Sequence, residues 1–114
     1  MKKTLALVVG LIASAPAVAT DVVNIYSFRQ PFLIKPILDD FTQQTGIKTN
    51  VVFAKKGLIE RVKREGKHSK ADLVLTSNFS ALIQLEELNL TQTIESELVN
   101  NNVPAAFRDG DGQW

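Results

Sequence analysis

VVNIYSFRQPFLIKPILDDFTQQTG, residues 22–46, decides the fold class of this chain. Its first five residues are β-branched or aromatic apart from Asn24, which suits a strand buried on both faces. Polar residues follow at Ser27, Arg29 and Gln30 and mark a turn. From 36 to 45, Ile37, Leu38 and Phe41 fall on one side, with Asp39, Asp40, Gln43 and Gln44 opposite. That is the period of an amphipathic helix, and Gly46 supplies its C-terminal stop. Pro31 fits a first helical position, while Pro36 either kinks the helix or marks its start.

The same strand-then-helix pattern returns twice, without sequence identity. IKTNVVF at 47–53 reads as a strand. Residues 57–65 read as a helix with Leu58, Ile59 and Val62 inward, stopped by Gly66. ADLVLT at 71–76 is a third strand, and 79–88 a third helix with Leu82, Ile83 and Leu85 toward the sheet. Beyond Leu90 the pattern weakens to a short helix near 95–99 and a turn-rich tail. Strands alternating with helices predict an α/β fold with a parallel sheet, right-handed crossovers and strand order 2-1-3. No linker, repeat or low-complexity segment divides the chain.

Residues 1–19 read as a cleaved secretory signal. Lys2 and Lys3 precede a short apolar run, and Ala17-Val18-Ala19 fits a signal-peptidase site. The run is too short for a membrane anchor, which needs about twenty apolar residues. The mature part, 20–114, would carry 11 basic residues against 12 acidic once Lys2 and Lys3 are removed from the 13 in the chain. That balance gives no reason to expect nucleic acid or an anionic membrane as partner. With no cysteine in the chain, an exported fold must rest on an ordinary apolar core.

Parallel strands turn their carboxyl ends toward one edge of the sheet, where small ligands bind in open α/β folds. That edge collects Ser27, Arg29 and Gln30 from the first strand, Lys55 from the second, and Thr76, Ser77 and Asn78 from the third. A guanidinium, hydroxyls, amides and helix N-terminal N–H groups could hold an anion or an oxygen-rich ligand. The plain structural reading is a capped, solvated sheet edge, with Asn78 or Ser77 as a helix N-cap. Arg29 is the most suggestive of the set, because turns prefer Gly, Asn and Asp. The basic residues from Lys55 to Lys70, Arg61 and Arg64 among them, read as the solvated face of one helix, since no aromatic residue interleaves for base stacking. His68 is the only histidine and has no metal-spaced companion. No nucleophile elbow, phosphate loop or metal cluster points to an enzyme.

The ordered blocks YSFRQPFL, DDFTQQTGIK, VVFAKKGLIERVKREG, ADLVLT and VPAAFRDGDGQW resemble the periplasmic ferric-iron-binding proteins of bacterial iron ABC importers, in the branch with Y-S-x-R-Q-P at the first turn. The resemblance implies a type II periplasmic binding protein with two α/β lobes around a cleft for Fe(III). Tyrosine phenolates of the second lobe hold the iron, often with a synergistic anion such as carbonate, and hard charged oxygen donors suit that cation. Ser27, Arg29 and Gln30 would contact the anion, with no metal ligand in this chain. Gln30 stands where some branches carry a histidine ligand, and Ser77 where some carry an acidic one. The expected partners are ferric iron and an inner-membrane ABC permease, in the periplasm. Residues 20–114 would be an incomplete first lobe lacking the phenolates, its third strand an open edge. The alternatives are a truncated or pseudogene product without binding function, and a small secreted α/β interaction module.

Overall fold

A computed structural model describes residues 21–114; the signal expected at 1–19 lies outside the described residues. The elements are β1 (Val22–Ser27), α1 (Pro31–Thr45), β2 (Lys48–Phe53), α2 (Leu58–Glu65), a 3-10 turn (Gly66–His68), β3 (Leu73–Leu75), α3 (Phe79–Glu87), α4 (Glu97–Asn102) and a second 3-10 turn (Ala105–Phe107). The strands form one parallel sheet in the order β2-β1-β3, as the alternation of elements predicts. β1 pairs along its whole length with β2, from Val22 opposite Lys48 to Ser27 opposite Phe53. Against β3 it pairs only at Ile25, Tyr26 and Ser27.

Alternation along the strands gives each helix its face. Tyr26 stands in register with Val52 on one side and Val74 on the other. This row meets Leu58 and Val62 of α2 in the main core, flanked by Phe28, Ala54, Ala71 and Leu90. Leu58, Ile59 and Val62 are all buried, as their spacing requires. The opposite face presents Val23, Ile25, Leu73 and Leu75 to α1. That side is only half covered. α1 packs near β2, and Leu73 stays 48% exposed.

α1 starts at Pro31, so Pro36 lies inside the helix and not at its beginning. Pro36 has no N–H for the carbonyl one turn back, and its ring crowds that carbonyl. Gly46 ends the helix in the left-handed region (φ 74°), donating its N–H to Thr42 O at 2.8 Å. Ile34 is the buried residue of this helix, whereas Ile37, expected inward, is 71% exposed. Ile34, Leu38 and Phe41, four and three residues apart, carry the covered stripe, and Ile37 lies at its edge, lining the groove that the sheet leaves half open. Ile83 of α3 departs similarly and is 45% exposed, while Leu85 is buried.

The tail is more ordered than its composition suggests. Ile94 donates its N–H to Gly112 O at 2.8 Å, and Trp114 lies against Phe79 with ring centroids 5.5 Å apart. The Trp114 indole N–H donates to Glu86 at 3.0 Å, so α3 and the last residues form one unit. Among the described residues no helix is long and apolar enough to cross a membrane.

Candidate functional site

Backbone bonds tie the three strand ends together. Phe28 N–H donates to Leu75 O at 3.0 Å, and Ala54 N–H donates to Ser27 O at 3.2 Å. The turn after β1 is therefore held from both neighbouring strands. Ser27 is completely buried, and its hydroxyl serves the turn itself. It donates to Arg29 O at 2.8 Å and accepts from Arg29 N–H at 3.0 Å. A buried hydroxyl bonded in both directions leaves Arg29 little choice of backbone path.

Arg29 and Gln30 themselves are exposed. Gln30 is the residue before α1, in extended conformation, and its side chain makes no capping bond. The first turn of α1 carries no acidic residue. Its positive dipole end therefore faces the turn without compensation from its own sequence. Arg29 also borders the apolar groove beneath α1, together with Thr76 from the end of β3. Asn78 accepts from Ala81 N–H at 3.1 Å and caps α3, the plain role anticipated for it. Thr76 donates its hydroxyl to Asn78 O at 3.0 Å. Ser77 is exposed beside them. The structure thus gathers Ser27, Arg29 and Gln30 in one turn, with the α3 cap at the neighbouring strand end.

On the other face lies a network that the sequence reading missed. The buried Tyr26 hydroxyl donates to both oxygens of Glu65, at 2.8 and 3.1 Å. Arg61 binds the same carboxylate at 2.6 Å and stands 4.8 Å from the centre of the Tyr26 ring. Ser69 donates to Glu65 at 2.9 Å. Burial, then the bond to Glu65, pushes the phenol above its usual range. The Arg61 guanidinium, acting first through its hydrogen bond, holds the Glu65 carboxyl below the usual carboxylate range. Arg61, expected on a solvated face, instead joins Glu65 in clamping the sheet. A tyrosine in a buried strand needs a partner for its hydroxyl, and Arg61 and Glu65 sit four apart on the next helix. Those two facts were the available signal. Lys55, Lys56, Lys63, Arg64, Lys67, His68 and Lys70 are exposed, as read.

This commitment removes Tyr26 from any open ligand surface. Elsewhere, carboxylate oxygens of Glu86, Asp109 and Asp111 lie within 4.8 Å of one another. Asp109 accepts the N–H groups of Asp111 and Gln113 and folds the tail on itself, while Glu86 accepts the Trp114 indole N–H and ties the tail to α3.

No family model matches the chain. The resemblance to ferric-iron-binding proteins is nevertheless direct. The iron uptake protein A1 of Synechocystis sp. is 39% identical over 93 residues, which is 81% of this chain and 26% of that protein. The ferric iron-binding protein A of Mannheimia haemolytica, in an open conformation, superposes with a TM-score of 0.80 and 47% identity over 83% of this chain and 30% of its own. A Trichodesmium protein solved in complex with iron and citrate ligands gives a TM-score of 0.76 and 37% identity, over 82% of this chain and 30% of that one. The chain thus spans less than a third of the length of these relatives.

Proposed function

We propose that this chain is first-lobe sequence of a periplasmic ferric-iron-binding protein, and that its β1–α1 turn is the anion-facing lip of the iron cleft. The supporting observation is the match to the Mannheimia haemolytica protein, at 47% identity and a TM-score of 0.80 over 83% of this chain. The named relatives support a role in binding and transport over one in catalysis.

Each residue of the lip has a separate task on this reading. Ser27 fixes the turn through its two bonds to the Arg29 backbone. Arg29 offers a guanidinium fork suited to a planar oxyanion such as carbonate or a carboxylate. Gln30 offers an amide with no bond to its own helix. The N-terminus of α1 adds its dipole. Fe(III) is cargo here, held by phenolates from beyond this unit, with the anion bridging cargo and lip. Residues 1–19 would direct export, and an inner-membrane ABC permease would receive the iron.

A chimaera tests the assignment. Residues 21–114 replace the matching part of the Mannheimia haemolytica protein, and ferric binding is measured with carbonate and with citrate. The expected result is iron binding that weakens at least tenfold in Arg29→Ala, with unchanged folding. A folded chimaera without iron binding, or one indifferent to Arg29→Ala with either anion, would reject the lip.

A further inference from the structure

The near balance of charge over the whole chain conceals a sharp segregation. Residues 47–70 hold eight basic and two acidic side chains, and residues 71–114 one basic and seven acidic. The fold places most of the basic group on and around α2. Leu58, Ile59 and Val62 are buried, and Lys63 and Arg64 in the last turn are exposed. Lys55 and Lys56 precede the helix, Lys67 and Lys70 follow it, and all four are exposed. The ion pairs among the described residues, Lys35–Asp39 and Arg61–Glu65, use none of these six cations. Lys63 and Arg64 complement the dipole at the C-terminus of α2, but the four outside the helix have no such task. Unpaired lysines resist burial, so this face, unlike an apolar one, does not call for cover by adjoining sequence.

We infer that this basic face is a docking surface for a bilayer rich in anionic phospholipid. Among the described residues, none of the exposed large apolar side chains lies between 47 and 70. A protein partner is held mainly through buried aromatic or aliphatic anchors, and single-stranded nucleic acid through stacked aromatics. This face offers neither. Five of its six cations are lysines, which carry point charges on long flexible stems. Such charges suit a fluid layer of head-group phosphates, where no fixed partner geometry has to be matched. The attraction is screened by salt and amounts to about fivefold in affinity for each basic residue near the surface. The acidic excess of residues 71–114 is repelled by the same layer, which leaves α2 as the side that approaches. α1 covers the opposite face of the sheet and so points away from the bilayer. The docking is independent of any ligand at the lip.

Co-sedimentation of the full chain with vesicles tests this, using phosphatidylcholine alone and phosphatidylcholine mixed with phosphatidylglycerol. The chimaera described above repeats the measurement without residues 1–20. The expected outcome is binding at least tenfold stronger to the anionic vesicles at low salt, lost at high salt. Lys67→Gln combined with Lys70→Gln, both outside α2 and exposed, should weaken that binding at least tenfold. Lys35→Glu on α1 should change it less than twofold. Equal binding to the two vesicle types overturns the inference, as does binding that survives high salt or ignores the Lys67 and Lys70 changes. Tighter binding to soluble polyglutamate than to the anionic vesicles, at equal charge, also overturns it and would mark the face for an acidic protein. A chimaera that stays off vesicles to which the chain binds overturns it too, since the remaining sequence would then cover the face.

Discussion

Tyr26 does two structural jobs through one side chain. Its ring fills the core against Leu58 and Val62, and its hydroxyl fastens β1 to the end of α2. Tyr26→Phe keeps the ring and deletes the bonds to Glu65, so stability should fall by about 1 kcal/mol in urea unfolding. A change within a few tenths would mean the hydroxyl contributes nothing net. The pH dependence has two limbs of opposite origin. Glu65 is held below its unfolded value, so its stabilisation is complete above about pH 4.3 and is lost as pH falls through the depressed value. Glu65→Gln should flatten that acid limb in a series of unfolding curves. Tyr26 is held above its unfolded value, so its contribution persists below about pH 10 and fades as pH climbs through the raised value. Tyr26→Phe should flatten the alkaline limb.

At the scale of elements, α1 carries a built-in weakness. Pro36 is exposed and interrupts the hydrogen-bond ladder of a fifteen-residue helix. Pro36→Ala should stabilise the chain by about 1–2 kcal/mol, because the restored bond outweighs the entropy gained by the unfolded chain. Asn78→Ala should cost about 1 kcal/mol by leaving Ala81 N–H without its cap. Thermal unfolding of both variants checks these opposite signs. Element order and sheet order were legible because each strand and each helix keeps its own apolar period. The exposure of Ile37 was not legible, since it shares the apolar stripe and stays open only because the sheet leaves that side of α1 half covered. The tail was not legible either. Its order comes from Trp114 reaching back to Phe79 and Glu86, a contact with no local pattern. Of the lip, the residue types could be read from sequence. The turning of the Ser27 hydroxyl toward the Arg29 backbone could not, because burial of that serine depends on both neighbouring strands.

For the whole molecule, the position of the phenol limits what this chain can do with iron. Tyr26 is its only tyrosine, buried and bonded to Glu65. Titration with ferric citrate should therefore give no visible phenolate-to-iron absorption band; a band near saturation would show that Tyr26 can leave its network. The sheet order carries a different consequence, one of timing. β1 is the central strand, yet it is made first. Val22 waits for Lys48, and Ile25 waits for Leu73. Until β2 has been synthesised the earliest segment has nothing to pair with, its second partner follows only at β3, and such non-local pairing is slow to form. On the reading of residues 1–19 as an export signal, that delay is useful. The strand next to the signal stays extended and threadable through a translocation channel, and the fold closes only after most of the chain has crossed.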